Sequence, residues 1–209
     1  MNETVAQELP VLADAYAFVG NSLLRPMSQT ASVGLGAQFW EAFPRFGSAA
    51  VDEAATRLAR WAAAGDGASE ADRISDVSVE YTRLFVGPPA PAAPPWETMN
   101  RSEGVTVGFG EPTFQMRQLL RDAGLELSNE NRQYEDHMGI ELLYLSELCR
   151  RAAAEGADAD APEALGAFVR QHPLAWIDRF AAKVSEDAPD GYYAGLLSLA
   201  KALLELWAD

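Results

Sequence analysis

The stretch from Ile74 to Trp96 reads ISDVSVEYTRLFVGPPAPAAPPW, and its two parts obey different rules. Ile74, Val77, Tyr81, Leu84 and Phe85 recur three and four residues apart, the spacing that lines apolar side chains along one face of a helix. From Gly87 the period stops. Pro88, Pro89, Pro91, Pro94 and Pro95 put five of the chain's twelve prolines into eight residues; proline lacks a backbone N–H and biases the residue before it away from helix. A helix is therefore expected to give way to a long, stiff connection from Gly87 to Gly110. It would join an N-terminal half (about 1–86) to a C-terminal half (111–209) of one all-helical domain.

The helical period extends in both directions. Before this stretch it runs through Leu12, Tyr16, Val19 and Leu23, then Val51, Ala55, Leu58 and Ala62. After it come Met116, Leu119, Leu120 and Ala123, then Met138, Leu142, Leu145 and Cys149. Trp176, Phe180 and Val184, and finally Leu196, Leu199, Leu203 and Trp207, close the chain. Six to eight or more helices are expected, with no period-two strands between them. Pro10 suits a first helical turn, Arg25-Pro26 and Phe43-Pro44 interrupt, Gly65, Gly124 and Gly156 fall where helices should stop, and His172-Pro173 marks a break or kink. The Ala/Asp/Glu-rich run from Ala152 to Ala164 reads as a solvated helix end and loop.

At 209 residues the chain can bury a core without staples, and its single cysteine, Cys149, suits a reducing cytosol. The first residues have neither the basic region nor the apolar run of a signal peptide, and no apolar run nears the length of a membrane span, so a soluble protein is expected. Sixteen basic residues against 31 acidic ones leave a formal charge of −15. That excess disfavours nucleic acid and favours a basic partner.

Catalytic and metal chemistry find little support. Neither His137 nor His172 lies near a second histidine or Cys149, and His137 with Glu141 one turn on supplies two ligands at most, so no metal site is expected. No phosphate loop or nucleophile elbow occurs, and Gly34-Leu35-Gly36 lacks a third glycine and a preceding strand. Gly108-Phe109-Gly110 reads as a loop leading into a helix start. On a helix, adjacent Asp136 and His137 would diverge by about 100°, which rules out an oriented dyad. Two readings of the pair stay open: His137 bordering an apolar stripe with Asp136 near a helix start, or a binding role. Tyr81, Leu84 and Phe85 likewise suit either the core or a cleft beside Trp96.

The segments Tyr81-Thr-Arg83-Leu84-Phe85-Val-Gly87-Pro88 and Pro94-Pro95-Trp96-Glu97 resemble the hallmark of the TorD/DmsD-type redox-enzyme maturation chaperones. Glu135-Asp136-His137-Met-Gly139-Ile-Glu141-Leu142 looks like that family's Asp-His helix motif, and His172-Pro-Leu-Ala-Trp176-Ile-Asp-Arg179-Phe180 resembles its third block. Gly110-Glu-Pro-Thr113 fits between them, so the likeness runs from about Ile74 to the C-terminus. Tyr81 stands where relatives often have Trp, Asn100 replaces a second aromatic, and Tyr134 replaces a proline.

The resemblance implies an all-α cytoplasmic protein with no catalysis and no cofactor of its own. Its partner would be a molybdopterin-dependent oxidoreductase catalytic subunit, bound through its twin-arginine signal peptide, its body or both, and held back from Tat export until cofactor is inserted. The family's peptide-binding positions carry over to Tyr81, Leu84, Phe85, Trp96, Gly110, Asp136 and His137, with Glu135 alongside. Leu84, Phe85 and Trp96 would meet the leader's apolar segment, and Asp136 with Glu135 its arginines. A chaperone docking only the client body is the alternative reading; a helical nucleotide hydrolase is a remoter one. The chain would work as a monomer or a domain-swapped dimer, without stable membrane insertion.

Overall fold

The computed structural model describes residues 8–128, 132–154 and 161–207. Most of these residues are helical, and among them one isolated β-bridge joins Trp96 and His137. In chain order the α-helices are α1 Leu9–Leu24, α2 Ala37–Glu41, α3 Ala49–Ala64, α4 Glu70–Tyr81, α5 Glu111–Asp122, α6 Met138–Ala154, α7 Ala161–Gln171, α8 Pro173–Asp187 and α9 Tyr192–Leu204. Pro10 does sit in the first turn of α1, Gly65 caps α3, and α7 breaks to α8 at His172-Pro173. Gly156 lies outside the described residues.

Helix α1 runs along α6, and α3 runs along α9, so the elements before and after the connection interleave. The α1–α6 crossing is close because glycines face each other there. A Cβ on Gly139 would lie 2.6 Å from Leu24 Cγ and 2.7 Å from the Gly20 carbonyl oxygen. Buried polar ties add direction to the apolar core. Ser146 Oγ donates to the Ala13 carbonyl of α1 at 2.7 Å. Tyr16 donates to the Leu203 carbonyl at 2.8 Å and accepts from Trp207 Nε1 at 2.9 Å, fixing the turn Glu205–Trp207 against α1.

Three features depart from the sequence expectation. The short α2 carries Trp40, wholly buried among Phe18, Phe39 and Phe43, in a stretch too brief for a helical period to register. Helix α7 begins at Ala161, inside the run expected to be solvated, and buries Leu165, Phe168 and Val169. Helix α4 ends in a π-type turn, Thr82–Val86, where the spacing predicts regular helix, and Leu84 and Phe85 are buried in it.

The connection is packed rather than free-standing. Ala93 N donates to the Leu84 carbonyl at 2.8 Å, Ala93, Glu97 and Asn100 are fully buried, and Glu97–Met99 form one turn of 3-10 helix. Among the described residues no helix is long and apolar enough to cross a membrane.

Overfilling the α1–α6 crossing tests this packing. Gly139→Ala is expected to destabilise the protein by about 1–3 kcal/mol in thermal or urea unfolding. Gly67→Ala, with open space around it, should change stability by less than about 0.5 kcal/mol.

Candidate functional site

Five of the eight candidate residues converge where the connection meets α5 and the start of α6. The bridge holds them: Glu97 N donates to the Asp136 carbonyl, and Met138 N donates to the Pro95 carbonyl, both at 2.9 Å. Asp136 and His137 occupy the turn before α6 rather than the helix itself, because the His137 carbonyl already accepts from Ile140 N and Glu141 N and so opens the helix. The expected 100° divergence therefore does not apply. Asp136 is fully buried. Its Oδ2 accepts from Thr98 N at 2.9 Å and Thr98 Oγ1 at 2.6 Å, and its Oδ1 accepts from Thr113 Oγ1 at 3.0 Å. Burial pushes its carboxyl up from the ordinary aspartate value, and these hydrogen bonds pull against that rise. Gly110 precedes α5 because a Cβ there would sit 2.8 Å from Thr98 Cγ2, on the same seam.

His137 is also fully buried. Its Nδ1 accepts from Gly139 N at 3.0 Å, which leaves the ring proton on Nε2, where no partner is present among the described residues. Burial drives its pKa down to about 3, so the ring is neutral at physiological pH.

Tyr81, Leu84 and Phe85 lie in the core instead. Leu84 has no exposed surface, and the Tyr81 and Phe85 rings pack on Tyr193, with Phe85 also on Phe180. These three shape the seat of the connection, since Ala93 is bonded to the Leu84 carbonyl, and they offer a ligand almost no surface. Asn100, in place of an aromatic, donates to the Pro94 and Trp96 carbonyls and accepts from Lys183, which fastens the connection to α8.

Exposed rings lie beside Trp96. Phe109 is 38% exposed, Phe114 51% and Tyr134 42%. Phe109 contacts Phe114 and Tyr134 with ring centroids 5.0 and 5.4 Å apart, and Tyr134 meets Trp96 at 6.2 Å. Glu135 flanks the patch, paired with Arg117 of α5. Sequence reasoning missed Phe109, Phe114, Arg117, Thr98 and Thr113. Phe109 and Phe114 straddle the Gly110 helix start, so their contact depends on a turn that periodicity does not register. Away from the ring patch, a concave surface of about 350 Å³ lies between α1, α5 and α6, lined in part by Leu24, Leu120, Ile140 and Leu143.

One further cluster could in principle hold a cation. Among the described residues, Glu97, Glu141 and His172 bring ligand atoms within 4.8 Å of one another, all buried. Their acceptors are largely engaged: His172 Nδ1 lies 3.0 Å from Glu97 Oε2, Arg101 pairs with Glu97 Oε1, and Trp176 Nε1 donates to Glu141 Oε2 at 3.1 Å. Burial, reinforced by the Glu97 charge, holds the Glu141 carboxyl well above its usual value; burial also opposes ionisation of Glu97, but His172 and Arg101 outweigh it and hold Glu97 low. The same burial thus acts on both carboxyls, but the neighbouring cations hold Glu97 low while the Glu97 charge adds to the rise at Glu141, whose Oε1 has no partner among the described residues.

Residues 47–182 match the family described as nitrate reductase delta subunit. The chain is 30% identical over 127 residues to the Tat proofreading chaperone DmsD of Salmonella typhimurium, covering 61% of this chain and 58% of that protein. It is 28% identical over 137 residues to the chaperone protein TorD of Vibrio cholerae serotype O1, covering 64% and 61%. A probable Tat proofreading chaperone DmsD of Haemophilus influenzae is 24% identical over 132 residues. The chain thus spans about three fifths of the length of the curated relatives it matches.

The neutral state of His137 sets a pH dependence. Below the unfolded value near 6.5 the unfolded chain takes up a proton that the folded ring refuses until about pH 3, so this group's contribution is present above that range and lost as pH falls through it. His137→Asn keeps an acceptor for Gly139 N and removes the titration. Between pH 6.5 and 5 the parent protein should lose about 2 kcal/mol relative to the variant in paired urea unfolding curves. The raised Glu141 acts with the opposite sign, but it is common to both proteins and cancels. Parallel pH profiles would contradict a buried neutral His137.

With all-helical architecture, the hallmark residues meeting at one seam and a family match across residues 47–182, this chain belongs to the nitrate reductase delta subunit family, in which the TorD and DmsD chaperones stand.

Proposed function

We propose that the chain is a cytoplasmic maturation chaperone without catalytic activity. It binds the twin-arginine leader of a molybdopterin-dependent oxidoreductase catalytic subunit and delays its Tat export until cofactor insertion is complete. The observation that carries this reading is the exposed ring patch of Phe109, Phe114 and Tyr134 beside Trp96 and the Glu135 carboxylate, on a chain of net charge −15. A leader joins arginines to an apolar segment. Rings bury the apolar part, while acidic surroundings attract the basic end and raise its association rate. The relatives, a Tat proofreading chaperone DmsD and a chaperone protein TorD, favour the same partner class.

In this reading Asp136 serves by holding Thr98 and Thr113 in place, so that the rings on either side keep their positions. Its buried carboxylate does not meet the leader's arginines directly; Glu135 does. Tyr81, Leu84 and Phe85 act one layer below, as the floor on which the connection rests.

Calorimetric titration with synthetic twin-arginine leaders tests the proposal. Micromolar binding is expected, weakened about tenfold by Phe114→Ala or Trp96→Ala, and lost when the apolar segment is scrambled. Phe114→Ala should melt close to the parent, since the ring is half exposed. Silence towards every leader, together with binding to a leaderless client body, would replace leader recognition by docking on the body alone.

A further inference from the structure

An arginine side chain is recognised most specifically by two features together: a carboxylate that takes its N–H fork in parallel, and aromatic faces against which the flat guanidinium can lie. Both occur in the ring patch, and an arginine already fills them. Arg117 Nε donates to Glu135 Oε1 at 2.7 Å and its Nη2 donates to Glu135 Oε2 at 3.1 Å. The same guanidinium carbon lies 5.8 Å from the ring centres of both Phe109 and Phe114. The carboxylate comes from the turn before α6, the rings from either side of the Gly110 helix start, and Arg117 from the second turn of α5.

The contact is built for guanidinium and reaches solvent on one side. The Arg117 side chain is 33% exposed and Glu135 17%, so Arg117 can turn out into water without opening the core. Burial opposes the ionisation of Glu135, but the bonds from Arg117 outweigh it and hold the carboxyl below the ordinary glutamate value, so the charge is kept while a guanidinium occupies the place.

We propose that Phe109, Phe114 and Glu135 form an arginine-recognition subsite that Arg117 occupies as an internal placeholder, to be displaced by an arginine of the incoming peptide. The inference rests on the leader-binding reading and names where one arginine of the pair is read. Exchange conserves the bidentate ion pair and both ring contacts, so the peptide's arginine takes over the bonds that Arg117 gives up as it moves into water. A lysine cannot make the exchange on equal terms, because its ammonium offers a point charge and no planar fork. With the leader absent, Arg117 also covers part of the two exposed rings and keeps the Glu135 charge partnered.

Titration of three leaders, with arginine, lysine or alanine at the pair, into the parent protein, Arg117→Gln and Glu135→Gln gives the test. Arg117→Gln should tighten the arginine leader by about two- to fivefold and leave the alanine leader unchanged. Glu135→Gln should abolish the preference for arginine over alanine while retaining the apolar contribution, with melting close to the parent in both variants. In a nitrogen-resolved NMR spectrum, the Arg117 Nε–H signal should move when the arginine leader is added and stay when the alanine leader is added, a response that a purely structural ion pair would not give. An arginine leader that binds the parent but is weakened, or left unchanged, by Arg117→Gln overturns the placeholder and spares leader binding. No binding by any leader to any of the three proteins overturns both.

Discussion

The carboxylate of Asp136 is the constraint on which the site depends. It has no exposure to water, and a buried carboxylate is tolerated only where donors replace its hydration. All three side-chain contacts described for it come from Thr98 and Thr113. Thr98 belongs to the connection that carries Trp96, Thr113 to the first turn of α5 with Phe114 beside it, and Asp136 itself lies between Glu135 and the opening of α6. Satisfying one charge thus draws three chain segments together and sets the spacing of every ring in the patch. The backbone bridge between Trp96 and His137 strengthens the same junction.

A second buried polar seam backs the first. Glu97 leaves the connection one residue after Trp96 and reaches His172 at the α7–α8 break, while Glu141 of α6 reaches Trp176 of α8. The two carboxyls respond in opposite directions: His172 and Arg101 hold Glu97 low against the effect of burial, while burial and the Glu97 charge hold Glu141 high. A proline-rich segment that could have hung free is instead tied from Leu84 to His172 and Lys183. Such pre-organisation lowers the ordering cost that a peptide would otherwise meet on binding.

The helices were legible in the sequence because burial imposes a period that survives without coordinates; Leu12, Tyr16, Val19 and Leu23 all face the core as that period requires. What periodicity could not convey was the fate of short or aperiodic pieces. Five residues of α2 are too few for a period, and the π-type turn at Thr82–Val86 is not announced by the regular spacing of Tyr81, Leu84 and Phe85. Trp96, Gly110, Glu135, Asp136 and His137 could be named from the family resemblance. Whether each faces water or the interior could not, because that is decided by partners distant in the chain: Thr98 and Thr113 turn Asp136 inward. Phe109, Phe114 and Arg117 carry no sequence signal at all, since their meeting requires the loop before α5 to fold over its own first turns.

The central claim is that the leader is read on the outer rings rather than in a groove opened beneath them. Fluorine NMR of the protein labelled with fluorophenylalanine distinguishes the two directly. On adding a twin-arginine leader, the account predicts that the Phe109 and Phe114 signals shift while those of the buried Phe85 and Phe180 stay in place. Movement of Phe85 and Phe180 with Phe109 and Phe114 unchanged would contradict it, and would return the binding surface to Tyr81, Leu84 and Phe85.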